Sequence, residues 1–291
     1  MTELPAVATD PRRAAHEAGA RWRLPFHRQA WRGVAGGWLG SGTGNSLDFQ
    51  DHRSYVPGDD PRHIHWQAYA RTGALTMKLY RAEVAPRIDL VVDVSASMAC
   101  SAAKARRTDE LLAFCVGSAD RAAAPVRVHA ANGRELQAVP IESVRAGRWR
   151  ERIAMGESRT EAPGPLPWRS GAMKMLISDL LFPGDPAPLL TALAAGAGLP
   201  IVLAPALAEE ADLPWRGNVE LQDCESSIHR RQRIDEALAA AYRTAYARHF
   251  QLWREVAQRR GVTMTRIPCE GDLARVLGGE ALASGAVEAA V

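Results

Sequence analysis

The chain has 291 residues, 47% of them hydrophobic and 24% charged, with a formal net charge of +3. This composition supplies enough apolar material for a sizeable core and excludes global disorder, while the charge is too weak by itself to argue for nucleic acid. No apolar run approaches the about 20 residues that span a bilayer, and the opening MTELPAVATDPRR lacks the apolar stretch of a secretory signal.

In chain order, an Ala- and Arg-rich start predicts a helix around Pro11 to Trp22. A glycine-rich run, RGVAGGWLGSGTGNS, follows; it has no Lys-Ser/Thr pair and no clear strand before it, so it does not read as a phosphate loop. Pro57-Gly58-Asp59-Asp60-Pro61 is a strong turn, and Leu75 to Tyr80 alternates as a half-buried strand does. After Pro86 the pattern changes. IDLVVDVS, KMLISDLLF and PIVLAPAL are nearly continuous apolar runs, the mark of strands buried on both faces. Between and after them lie helical stretches: Ala103 to Ala122 with an apolar stripe through Leu111, Leu112, Cys115, Val116 and Ala119, a short one over Glu142 to Met155, and PAPLLTALAAGAG. VELQD reads as a short edge-like strand. A long helix is predicted from about Gln232 to Arg260, with Leu238, Tyr242, Tyr246, Trp253 and Ala257 inward and Gly261 closing it. VTMTRIP is a last strand, followed by a short helix around Leu273.

Strand and helix alternate from Ile88 to the end, which predicts an α/β domain with a mostly parallel, doubly wound sheet. The expected division is a helical or flexible segment over 1–36, a β-containing extension over 37–86 and the α/β domain over 87–291. In the extension, Trp66 and Tyr55 are large enough to anchor packing against the domain. The four cysteines, Cys100, Cys115, Cys224 and Cys269, are scattered, as in a reduced, cytoplasmic protein.

Sites in such sheets form beyond the C-terminal ends of the central strands. There the first buried strand ends in Asp93-Val94-Ser95-Ala96-Ser97, and the second in Ser178-Asp179. Asp93, Ser95 and Ser97 can converge as oxygen donors on a hard cation such as Mg²⁺, with Asp179 opposite and Thr160 as a further arm. The same residues can instead cap the following helix. His63 and His65 could face one way on a strand, and Arg243, Arg254, Arg248 and Arg259 line the long helix; a solvated face is the simpler reading of the arginines.

Arg53, Tyr55, Pro57, Gly58, Asp59, Arg62, Ile64, Trp66, Ala70 and Arg71 follow the pattern R-x-Y-x-P-G-D-x-x-R-x-I-x-W-x-x-x-A-R. This block resembles domain-of-unknown-function family 58, and Asp-x-Ser-x-Ser resembles the metal-ion-dependent adhesion site of von Willebrand factor A domains. VELQDCE is similar to the family's downstream Asp-x-Glu element, here Asp223 and Glu225. The resemblance implies a von Willebrand factor A-like fold and a Mg²⁺ site, with Mn²⁺ or Ca²⁺ as substitutes, made by Asp93, Ser95, Ser97, Thr160 and Asp179. It assigns Arg53, Tyr55, Gly58, Asp59, Asp60, Arg62, Trp66 and Arg71 to a structural or partner-binding motif. It also implies a MoxR-type AAA+ ATPase, or that ATPase's client, as partner. Many relatives begin with membrane helices, which this sequence does not show.

The expected function is a non-enzymatic adaptor or co-chaperone that takes a partner's acidic residue onto the metal, with no membrane and no nucleic acid involved. The alternative is a metal-dependent hydrolase of a phosphorylated substrate at the same strand ends. Against it, no Ser-His-Asp order with supporting motif, His-Glu-x-x-His or Asp-x-Asp signature is present.

Overall fold

The computed structural model describes residues 10–28, 35–43, 49–84, 86–154, 161–226 and 228–290. Helix α1 (Pro11–Gly19) begins where Asp10 accepts the Arg12 N–H at 3.0 Å and Pro11 supplies a preset φ. It stops before Trp22, because Trp22–Arg23 form a strand, β1, that pairs with β13 (Glu288–Ala289) at the other end of the chain. Trp22 Nε1 donates to the Ala274 carbonyl at 2.6 Å, and Leu24 and Phe26 are fully buried. Residues 10–28 therefore share the main core.

β2 (Ala35–Thr43), β3 (Phe49–Ser54) and β4 (Thr76–Val84) form an antiparallel sheet in the order β2-β4-β3. Helix α2 (Trp66–Thr72) lies between β3 and β4. Trp66 does not anchor packing as predicted: it is 57% exposed and meets Tyr69 edge to face. Ile64 and Met77, joined by an isolated antiparallel bridge, are buried here.

The rest is a mixed α/β unit. In chain order it contains β5 (Ile88–Asp93), α3 (Ala102–Arg121), β6 (Val126–Asn132), β7 (Glu135–Val139), α4 (Ile141–Arg145), β8 (Ala172–Ile177), α5 (Ala187–Ala194) and β9 (Gly198–Ala206). α6 (Ala208–Ala211), β10 (Gly217–Gln222), β11 (His229–Ile234), α7 (Glu236–Arg259) and β12 (Thr263–Pro268) follow. Six strands form one sheet in the order β12-β9-β8-β5-β6-β7, parallel except for β7. Every residue of β5 and β8 is buried, as the continuous apolar runs require. Successive side chains point to opposite faces. Leu90 and Val92 join Leu111, Leu112 and Cys115 of α3 on one face, and Val91 and Leu176 join Leu190 of α5 and Phe250 and Trp253 of α7 on the other.

From β5 the chain passes through α3 to β6 on one side, then returns to β8 on the other side of β5. Helices α3 and α5 accordingly cover opposite faces, which makes the C-terminal ends of β5 and β8 the topological switch point of the sheet.

Two further predicted helices change. The long one begins at Glu236, capped by Asp235, because His229–Ile234 are claimed by pairing with β10 in a separate two-stranded hairpin. Leu238, expected inward, is 38% exposed near its start. The helix expected over Glu142 to Met155 splits into α4 and the 3-10 turn Trp149–Arg152, since Gly147 takes φ 70° between them.

Asp89, near the start of β5, is 2% exposed. It accepts Arg127 Nε at 2.9 Å, Arg169 Nε at 2.8 Å and the Arg169 N–H at 2.6 Å. Burial pushes its carboxyl up, but the hydrogen bonds from Arg127 and Arg169 outweigh this and hold it below its ordinary value. The contribution is thus complete above the unfolded carboxyl value of about 3.9 and is lost as pH falls through the lower folded value. Asp89→Ala is expected to lower unfolding free energy at pH 7 by about 1–3 kcal/mol, and the deficit should shrink as the pH is taken below 4. Urea melts of both proteins across pH check this; a deficit that stays constant at low pH would count against the clamp.

Candidate functional site at the strand ends

Asp93 ends β5 and is 4% exposed. Oδ1 accepts the Ser95 N–H at 2.9 Å, which folds the loop back on the strand end, and Oδ2 accepts Ser178 Oγ at 2.7 Å. Ser95 Oγ and Ser97 Oγ lie 3.1 Å apart. Burial, followed by the negative charge of Asp179, pushes the Asp93 carboxyl up to about 6. The capping reading fits poorly: Ser101, not Asp93, Ser95 or Ser97, accepts the Ala103 N–H at the start of α3.

Asp179 follows β8, and its N–H donates to Met98 Sδ at 3.2 Å. Its Oδ2 accepts from Lys104 Nζ at 2.8 Å, and Lys104 also pairs with Glu210. Lys104 and Asp179 are 1% and 2% exposed. Burial would lower the Lys104 ammonium, but Asp179 and Glu210 outweigh it and hold Lys104 above its ordinary value. Next to Asp179, Leu180 takes φ 60°, a left-handed conformation that costs a branched side chain about 1–2 kcal/mol. Ser178 Oγ accepts the Leu180 N–H at 3.1 Å and supports this turn.

A small divalent ion with octahedral bonds of about 2.0–2.1 Å sets neighbouring ligands about 2.9 Å apart. The two hydroxyls are hydrogen-bonded to each other at 3.1 Å, a separation close to such an edge, and Asp93 is a buried carboxylate whose charge a cation would offset. Asp179 fits less well, because Lys104 is its resident cation. Among the described residues, no group of three His, Cys, Asp or Glu side chains could hold a metal. Thr160 lies outside the described residues.

The upstream motif is built around its turn. Gly58 takes φ 106°, and Arg53 forms a bidentate pair with Asp59 at 2.7 and 2.5 Å. The Val56 N–H reaches the same carboxylate at 2.8 Å. The Arg53 guanidinium holds Asp59 down at about 2. Asp60 caps the 3-10 turn Pro61–His63 through the Arg62 N–H at 3.0 Å and also pairs with the Arg62 side chain. The Tyr55 N–H donates to the Leu75 carbonyl at 3.0 Å, closing β3 on β4. Trp66 and Arg71 on α2 are exposed. His65 stacks on His52 across the sheet, with ring nitrogens 2.9 Å apart, rather than pairing with His63. On α7, Arg243 is engaged by Asp212 and Glu236, which removes it from a free basic stripe.

Three site residues escaped sequence reading. Lys104 had a signal, since it stands on the buried stripe of α3 one and two turns before Thr108, Leu111 and Leu112. Ser178 looked like part of a strand end, and Glu210 carried no signal. Glu225 was singled out by resemblance alone; its carboxylate accepts the Ser97 N–H at 2.9 Å and the Ala96 N–H at 3.3 Å.

Fold and site define a mixed α/β protein with buried carboxylates and paired hydroxyls at the switch point of a mostly parallel sheet. A family profile described as "Protein of unknown function DUF58" matches residues 51–155. Uncharacterized proteins of Mycobacterium bovis and Mycobacterium tuberculosis are 30% identical over 235 residues, covering 72% of this chain and 71% of theirs. The chain belongs to the DUF58 family. Among solved structures, a conserved hypothetical protein BatB from Bacteroides thetaiotaomicron aligns with TM-score 0.39 at 13% identity, covering 68% of this chain and 98% of that one. An aerotolerance-related membrane protein from Bacteroides fragilis aligns with TM-score 0.41 at 12% identity, covering 67% and 98%. No helix among the described residues is long and apolar enough to cross a membrane.

Lys104→Met should remove the buried cation that faces both Asp179 and Glu210, costing about 3–5 kcal/mol of stability. Adding Asp179→Asn should recover part of that loss. Urea unfolding of the single and double variants tests the pair; strictly additive effects would show that Lys104 and Asp179 are not coupled.

Proposed function

We propose that this protein is a non-enzymatic interaction module of von Willebrand factor A-like type. Its partner is a MoxR-type AAA+ ATPase or that ATPase's client, and a cytoplasmic location belongs to the same reading. Asp93, Ser95 and Ser97 would hold Mg²⁺. The hydroxyls are neutral, so the ion keeps much of its charge and can accept an acidic side chain from the partner. The observation that carries this reading is the pair of hydroxyls at 3.1 Å beside a buried carboxylate at the switch point.

Hydrolysis at the same place would need a free base to activate water. The nearby carboxylates have other work: Asp179 pairs with Lys104, and Glu225 takes backbone N–H groups. This favours binding over turnover. With Mg²⁺ or Mn²⁺, purified protein is expected to show no phosphoesterase activity above background, and turnover that vanishes in Asp93→Ala would reverse the choice.

The direct test immobilises the MoxR-type ATPase and measures capture of this protein with Mg²⁺ and with EDTA. Asp93→Ala should reduce capture by at least about tenfold, the loss of one strong charge-assisted contact, with circular dichroism unchanged. Ser95→Ala and Ser97→Ala should weaken it in the same direction. Equal capture in Mg²⁺ and EDTA would sink a metal-mediated interface.

A further inference from the structure

The tip of the β10–β11 hairpin reaches the loop after β5 from far along the sequence. Asp223 shapes that tip: its Oδ1 accepts the Glu225 N–H at 2.9 Å, and its N–H donates to the Ile228 carbonyl at 2.9 Å. The resulting turn directs the Glu225 carboxylate onto the backbone between Ser95 and Met98. There Oε1 takes the Ser97 N–H at 2.9 Å and Oε2 the Ala96 N–H at 3.3 Å. Both members of the Asp-x-Glu element thereby gain a role, Asp223 in the turn and Glu225 in the contact.

The contacted loop is the one that carries the paired Ser95 and Ser97 hydroxyls. An incoming acidic side chain must approach these same two residues. A second carboxylate there meets repulsion from the first, because like charges at a few ångströms disfavour each other. The carrier of Glu225 is also suited to move. Among the described residues β10 and β11 pair only with each other, outside the six-stranded sheet, and most of their residues are exposed. A lone two-stranded hairpin is marginally stable, so displacing its tip breaks no strand pairing of the main sheet.

We propose that Glu225 is a built-in occupant of the strand-end site, and that displacing the β10–β11 tip is the step by which a partner's acidic side chain gains the Ser95–Ser97 loop. This rests on the adhesion reading above. It makes the contact self-masking rather than a plain strut, and the two differ in how the site responds to a free carboxylate.

The experiment uses the full chain, its Glu225→Gln variant and, as a second form, Glu225→Ala. Amide exchange is followed at residues 95–98 and across 217–234, with Mg²⁺ present, with and without glutarate as a free dicarboxylate probe. In both variants, exchange at Ala96 and Ser97 should speed up by about tenfold, as expected for loss of a charge-assisted hydrogen bond, and the hairpin tip should loosen with it. Glutarate should then slow exchange at Ala96 and Ser97 in the variants, at concentrations that leave the wild type unchanged. Exchange at Ala96 and Ser97 that ignores Glu225 would overturn the proposal. Equal protection of wild type and variants by glutarate would overturn the masking alone and leave the adhesion reading standing. Coupled exchange with no glutarate effect on any of the three proteins would overturn the masking together with the adhesion reading beneath it.

Discussion

Asp93 and Asp179 lie nearly buried at the ends of neighbouring parallel strands, and their mutual repulsion has to be offset locally. The chain meets this with two different devices. Asp179 receives a buried ammonium, Lys104, which Glu210 also holds. Asp93 receives hydrogen bonds from Ser178 and the Ser95 backbone, and its carboxyl still sits well above the ordinary range. The asymmetry matters. One carboxylate is settled by a covalently attached cation, and the other retains an unmet demand for positive charge beside two hydroxyl oxygens. That difference is why the proposed function places its cation on the Asp93 side.

The upstream motif serves a different end. Arg53, Gly58, Asp59 and Asp60 are consumed in forming the turn between β3 and α2: a bidentate ion pair, a positive φ and a 3-10 cap. Around that rigid turn, Val56, Trp66, Tyr69 and Leu75 remain exposed. Arg53, Gly58, Asp59 and Asp60 thus hold local geometry while Trp66 faces outward and the smaller Ile64 is buried, the reverse of the expectation that the large aromatic anchors packing.

The alternation of buried strands and helices was legible because residues covered on both faces leave continuous apolar runs, as in β5, β8 and β9. Boundaries were less legible where pairing competes with propensity. Arg230 to Arg233 carry no strong strand pattern, yet β10 draws them into β11 and delays the start of α7. Trp22 continues a helical stretch in composition, yet β13 pairs with it from the opposite end of the chain. Both outcomes depend on partners that are distant in sequence, and a local window does not contain them.

By itself, the sequence determined the class of fold, the strand ends at which to look, and the closeness of Asp93, Ser95 and Ser97 along one short loop, because these follow from periodicity and from spacing. Tertiary structure alone decided what each group does there. Lys104 claims Asp179, Ser178 turns toward Asp93, and Glu225 arrives from a hairpin 128 residues away from Ser97. Charge compensation in a buried site acts through space over a few ångströms, and which charges come that close is fixed only when the sheet order and the helix crossings are in place.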